Sequence, residues 1–263
     1  MDARIPPLIL NSPSVLVVAG HDPSGAGIQA DIETMAALGC RAFTLVTCLT
    51  SQNSQGVRSV TPTPKAMLFS QAECLLSDMN APSACKIGLI PDEECLEAVV
   101  DILGLLPACT PVILDPVLGA TAGGPLAASS LPHSLLKHLI PQATLVTPNL
   151  RELRRLVDAS GAPRETRSLS CEWCLVKGAD EPGETITHRL FHQTALFAEY
   201  HWPRIDGVFH GSGCTLASAI SAFIARGEPV ATAVAHGLAY TWRALSVAIA
   251  PGGVQLLPSR PFE

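Results

Sequence analysis

Aromatic side chains make up only 5% of this 263-residue sequence, and 17 Lys plus Arg stand against 23 Asp plus Glu, for a formal net charge of −6. A nucleic-acid binder needs a cationic footprint and rings on which bases stack, so nucleic acid is not an expected partner. Charge of either sign is scarce at 15% while apolar residues reach 48%, which excludes a disordered, highly solvated chain. Long hydrophobic runs are missing too: the longest uncharged helix-like stretch, CTLASAISAFIA, is too short to span a bilayer. There is no GxxxxGK[ST] phosphate loop, no internal repeat, and no linker rich in Pro, Gly or Ser that would divide the chain. The opening MDARIPPLILNSP has Asp2 beside its one early Arg and prolines in its short apolar run, unlike a signal or transit peptide. These absences lead us to expect one domain over residues 1–263, cytoplasmic and with no membrane partner.

Nine cysteines are present, an odd number spread from Cys40 to Cys214, and several sit in apolar runs such as TLVTCLT. That usage fits reduced thiols in a chain large enough to fold without disulfides. Strand-like runs alternate with helical periods: SVLVVAG at 14–20, a helix over about 26–38, AFTLVTCLT at 42–50, ACKIG at 84–88, PVILD at 111–115, ATLVT at 143–147 and CLVK at 174–177. PDEECLEAVVDILGLL at 91–106 reads as one of the intervening helices. Strands apolar on both sides and separated by helices predict an α/β, doubly wound, mostly parallel sheet flanked by helices. After Lys177 the pattern changes to strand, turn and strand, then two helices at about 212–226 and 229–249, and the PGGVQLLPSRPFE tail reads as irregular. Ligands of such sheets gather at the carboxyl ends of the strands, so residues just past each strand matter most.

The first strand runs into AGHDPSGAGIQAD, where Gly20, Gly25 and Gly27 let backbone approach a ligand before a helix begins. Gly25 to Ala30 also fits a dinucleotide fingerprint, but the glycines start several residues after the strand and no ribose-binding acid ends the second one. Ile28, Asp31, Ile32 and Met35 share a helical stripe, which puts a carboxylate among core-facing residues. Asp31 is either an acid that complements the helix dipole or an acceptor for a buried ligand's polar group. In VFHGSGCTLASA, Gly211, Ser212 and Gly213 lead straight into a helix, so successive amides make an anion hole for a phosphoryl group in transfer. Cys214 follows, where the helix dipole is expected to lower its thiol pKa and make it a nucleophile or weak base, unless it is simply a buried cysteine.

Asp115 ends one strand, and Asn149 and Glu152 lie just past another, three residues apart at a helix start. Oxygen ligands converging from separate strand ends suit magnesium, while an N-cap and capping-box pair is the other reading of Asn149 and Glu152. Cys171, Cys174, His188 and His192 match zinc spacing, yet HRLFH reads as a strand and no finger core lies between the pairs.

Taken together, AGHDPSGAGIQAD, TSQNSQGV, KIGL, LDPV, TPNLRE and HGSGCTLASA, in that order, resemble the hydroxymethylpyrimidine/phosphomethylpyrimidine kinases of thiamine biosynthesis, within the ribokinase-like fold. The resemblance implies ATP-dependent phosphorylation of a pyrimidine alcohol and then of its monophosphate. It implies that Gly20, Asp31 and Gln52 contact the aminopyrimidine, with Leu89 and Val117 as apolar walls. It implies magnesium held through water by Asp115 and Glu152, nucleotide phosphates along Asn149 and Lys177, and Gly211 to Cys214 around the transferred group, with Cys214 as base. A homodimer is implied too. SGAG stands where the family usually has SGGAG, KGAD where KGGH is common, Val208-Phe209 replaces a polar pair, and the stretch from Leu156 to Cys174 is short. A pyridoxal-type vitamin kinase and a non-catalytic pyrimidine-binding protein are the competing readings.

Overall fold

The computed structural model describes residues 12–119, 126–163, 169 and 171–262. Nine strands form one sheet in the order β3-β2-β1-β4-β5-β6-β7-β8-β9. They are β1 (Ser14–His21), β2 (Arg41–Asn53), β3 (Gly56–Pro62), β4 (Ala84–Ile87), β5 (Val112–Leu114), β6 (Leu145–Val146), β7 (Trp173–Val176), β8 (Thr185–His192) and β9 (Ala195–Pro203). From β2 to β7 neighbours pair parallel, while β3, β8 and β9 join antiparallel. The helices are α1 (Gly27–Ala37), α2 (Lys65–Ser77), α3 (Glu93–Leu103), α4 (Leu131–Ser134), α5 (Leu150–Ser160), α6 (Ser212–Ala225) and α7 (Val230–Ser246).

Strand β1 shows why a continuous apolar run was needed. Leu16 and Val18 join a core with residues of α2, α3 and α5, whereas Val15, Val17 and Ala19 join a second core with residues of α1, α6 and α7. Both faces of the sheet are therefore covered, as the doubly wound reading requires.

Two details differ from the sequence reading. Ile32 is 44% exposed, while Ile28, Asp31, Thr34 and Met35 are buried. At about 100° per residue Ile32 lies roughly 100° from Asp31, beyond the edge of the buried face. Strand β3, GVRSVTP, was not anticipated as a separate strand: it is an edge with no fully buried residue, so it carries no core-facing alternation. The carboxyl-terminal tail is irregular, as expected, but it is pinned. Leu256 bridges to Phe209 and Leu257 to Ile249, and Arg260 donates to the Gly25 carbonyl at 3.1 Å and to Thr215 Oγ1 at 3.2 Å. The opening residues 1–11, and residues 164–168 and 170 of the short stretch between Leu156 and Cys174, lie outside the described residues.

Candidate active site

A cavity of about 300 Å³ opens at the carboxyl ends of the parallel strands. Its walls are residues at or just past the ends of those strands: Gly20 near the end of β1 and Asp22 after it, Leu89 after β4, Asp115 after β5, Asn149 after β6 and Lys177 after β7. Residues Gly211 to Cys214, at the start of α6, also line it. Twelve of the thirteen residues to which the resemblance gives a site role therefore meet at one cavity, from Gly20, Gln52, Leu89 and Val117 on one side to Asn149, Glu152 and Lys177 on the other.

Asp31 is the thirteenth, and its expected contact with substrate is corrected by the structure. Asp31 does not line the cavity. Both of its oxygens accept from Lys86 Nζ at 2.9 Å, and Oδ1 also accepts from Ser218 Oγ at 2.6 Å. Asp31 and Lys86 are both fully buried, and it is Lys86 that borders the cavity. Burial works against the Lys86 ammonium, and the Asp31 carboxylate outweighs it, so the lysine stays charged. Strand β4 had offered the signal: Lys86 stands alone among apolar residues in ACKIG.

Asn149 and Glu152 form a reciprocal capping box at the start of α5. Glu152 N–H donates to Asn149 Oδ1 at 2.8 Å, and Asn149 N–H donates to Glu152 Oε2 at 2.8 Å. The capping reading is thus correct, and it is also what fixes both side chains at the cavity wall. Lys177 Nζ lies 2.8 Å from Asp115 Oδ1 and 3.9 Å from Glu152 Oε2. Thr147 Oγ1 donates to the same Asp115 oxygen at 3.0 Å. Burial opposes the charge on Lys177, but the two carboxylates hold its pKa above the ordinary lysine range. Burial pushes the Glu152 carboxyl up to about 7 against the pull of Lys177.

Gly211 is the N-cap of helix α6, with a left-handed φ of 78°, and no side chain caps the helix. A Cβ on Gly213 would lie 3.5 Å from Lys177 Nζ and 3.8 Å from Asp115 Oδ2, so the first-turn backbone stacks directly on the charged pair. Cys214 opens on the cavity beside them. The expected lowering of its pKa is overturned: desolvation by the surrounding walls pushes the thiol up to about 11, although the Lys86 charge and the Gly27 N–H on its sulfur pull downward.

Several residues that complete the site were not anticipated. Asp22 and His210 are hydrogen-bonded to each other across the loops that carry Gly20 and Gly211. Ser24 Oγ donates to Asp22 Oδ1 at 2.5 Å. His188, Trp202 and Trp242 wall the far end, with the tryptophan rings 5.8 Å apart. Burial pushes the His188 ring down to about 4, so it is neutral at pH 7. The zinc spacing does not become a site. His188 and His192 lie on one strand, so about 13 Å separates them, and His192 stacks on Trp173 at 4.3 Å. Among the described residues no group of three His, Cys, Asp or Glu could hold a metal ion directly. Among the same residues no helix is long and apolar enough to cross a membrane.

Glycine-rich backbone around an anion hole, with two carboxylates and two lysines beneath it, is the arrangement that phosphoryl transfer requires. The family model for phosphomethylpyrimidine kinase matches residues 22–257. The chain belongs to that family. It is 35% identical over 266 residues to the hydroxymethylpyrimidine/phosphomethylpyrimidine kinase of Streptomyces coelicolor, covering 96% of this chain and 95% of that one. The phosphomethylpyrimidine kinase structure from Clostridium difficile 630 superposes with a TM-score of 0.73 at 29% identity, covering 89% of this chain and 99% of that one. The structure of Staphylococcus aureus pyridoxal kinase in complex with ADP gives a TM-score of 0.81 at 23% identity, covering 96% and 93%, which shows the shared fold. Membership of the family makes the chain a phosphotransferase, with the ribokinase-like α/β fold that the sequence implied.

Proposed function

We propose that this chain moves the γ-phosphoryl group of ATP first to the hydroxymethyl oxygen of 4-amino-5-hydroxymethyl-2-methylpyrimidine and then to the resulting monophosphate, giving the diphosphate used in thiamine biosynthesis. One observation carries the assignment of roles: the amides at the start of α6 lie over the Asp115 and Lys177 pair, with Cys214 next in sequence. The pyrimidine ring enters between Gly20 and Gln52 on its polar side and Leu89 and Val117 on its apolar side. Leu89 packs with Cys48, Leu126 and Val117 in a small separate core, which gives that wall rigidity.

Asp115 and Glu152 offer hard oxygen donors from two separate elements, a donor set that fits magnesium held through water. The metal would neutralise charge on the phosphate oxygens. Lys177 faces the phosphate chain as a point charge, and Asn149 stands beside it. The amides of Ser212, Gly213 and Cys214 receive the negative charge that spreads over the moving group. Cys214, in its thiolate form, accepts the hydroxymethyl proton. Lys86 and the Gly27 N–H favour that form and burial opposes it, which suits a reaction whose attacking oxygen loses its proton late.

Turnover with ATP and magnesium, comparing hydroxymethylpyrimidine, its monophosphate and pyridoxal with products resolved by mass, tests this reading. Formation of the pyrimidine diphosphate is expected. Pyridoxal phosphate as the preferred product, or pyrimidine binding with no transfer, would overturn it.

A further inference from the structure

The cavity is bordered on one side by two loops whose paired residues are 188 positions apart in the chain. Residues 20–27 leave β1 and enter α1; residues 207–211 lead into α6. The contact between them is built from side chains: His210 Nε2 donates to Asp22 Oδ2 across 188 residues of sequence. The carboxylate is itself fixed. Its other oxygen accepts from Ser24 N–H at 2.8 Å and Ser24 Oγ at 2.5 Å, and Ser24 Oγ lies 3.1 Å from the same His210 nitrogen. Gln52, on β2, adds a further hydrogen bond to Asp22.

Both members are nearly inaccessible, Asp22 at 3% and His210 at 8% exposure, yet both border the cavity. Holding a carboxylate and an imidazole in a buried place costs desolvation, so the pair contributes only where its geometry is fixed. The backbone around it is fixed. A Cβ on Gly211 would lie 3.2 Å from Ala26 and from the Gly25 carbonyl, so the loops meet backbone to backbone. On the outer side Arg260 ties Gly25 O to Thr215 Oγ1. The consequence reaches Cys214, because the N–H on its sulfur comes from Gly27, which belongs to the other loop.

We propose that Asp22 and His210 are a positioning pair, a clasp that holds the pyrimidine loop and the phosphoryl-binding loop as one unit and so sets Gly27 against Cys214. This rests on the phosphotransferase reading for its kinetic consequence but not for its structural one. Neither residue touches the reacting atoms. Their role is to fix the distance between the bound alcohol and the hole that receives the phosphoryl group, where a misplacement of about 1 Å can cost about 100-fold in rate.

Asp22→Asn, His210→Asn and the double variant test the clasp, each measured for kcat, for the KM of both substrates and for backbone hydrogen exchange without ligand. Each single variant should lose 10- to 100-fold in kcat, about the loss expected of misplacement, with the KM for ATP within threefold. The double variant should lose no more than the worse single one, because either change opens the same contact. Exchange carries the structural half without turnover. Asp22→Asn should speed exchange at 211–214, and His210→Asn at 25–27, with the β8–β9 hairpin unchanged. Losses that multiply in the double variant, or faster exchange confined to the substituted loop, would overturn the clasp. If a variant does not fold, Ser24→Ala, which loosens only the Asp22 carboxylate, must reproduce the exchange effect at 211–214 in milder form, and silence there would also overturn it. Wild-type protein without turnover but with reciprocal exchange would refute the phosphotransferase reading and leave the clasp standing.

Discussion

Lys86 on β4 and Asp31 on α1 form a two-pronged ion pair, with Nζ 2.9 Å from each carboxylate oxygen and neither side chain exposed. Lys86 borders the cavity and Asp31 lies behind it, between the sheet and the helix layer that includes α6, whose Ser218 supplies a third hydrogen bond. Removing one charge strands the other in a place without water. Asp31→Asn should therefore cost about 3–5 kcal/mol of stability, and Lys86→Met added to it should restore part of that loss. Denaturant unfolding measures both. A loss of substrate affinity with unchanged stability would return Asp31 to the substrate site.

Replacing Cys214 with alanine should leave the fold intact and lower turnover by about 10² to 10⁴, the usual worth of a positioned proton-transfer group. The wild-type rate should also climb with pH, since burial pushes the thiol up to about 11 and the thiolate fraction rises steadily below that value. Cys214→Ser should flatten this limb. A profile in the serine variant that matches the wild type would take Cys214 out of the proton path.

Asp22 gives a pH signature in stability. Burial alone would raise its carboxyl, but the hydrogen bonds from His210, Ser24 and Gln52 outweigh it and hold the pKa at about 2, down from 3.8. A folded value below the unfolded one means that the native state binds fewer protons, so the contribution is complete above about pH 4 and fades as pH falls through 2. The size is about 2 kcal/mol. Asp22→Asn should be destabilised by about that much at pH 6 and by almost nothing near pH 2, as read from unfolding curves at both. Equal destabilisation at the two would contradict the assignment.

Gly27 has a φ of 55°, and a Cβ there would overlap the carbonyl oxygen of Gly20. No rotamer relieves a backbone clash, so Gly27→Ala must move the loop, and with it the N–H that faces Cys214. Turnover should fall at least about 100-fold, as for other lost positioning groups, while the two cores remain folded. Circular dichroism and steady-state kinetics on the same sample decide it; normal kinetics would show that this loop tolerates displacement.

The sheet was legible because its strands are apolar on both sides, and residues just past them did prove to line the cavity. What stayed hidden were pairings between distant segments. Asp31 looked like a ligand group because a sequence shows a carboxylate on a buried face without showing the Lys86 that neutralises it. The Cys214 thiol was misjudged for a related reason: the helix start is visible in GSGCT, but the walls that strip water from the sulfur come from other elements. Asp22 and His210 stand in AGHDPSGAGIQAD and HGSGCTLASA, but nothing in either segment announces the other. The Asn149 and Glu152 spacing, by contrast, is local, and its capping geometry followed directly.

The separation between the two clasped loops also orders events during synthesis. A chain extended only as far as β9 already has the strands and the apolar cavity wall at Leu89 and Val117, but it lacks His210, the α6 amides and Cys214. Contacts this far apart in sequence carry a large closure cost and form late. Substrate therefore cannot nucleate folding of this enzyme; its full binding energy becomes available only after the last two helices have docked, and until then only the core against α2, α3 and α5 can close, while the face that α6 and α7 will cover stays open.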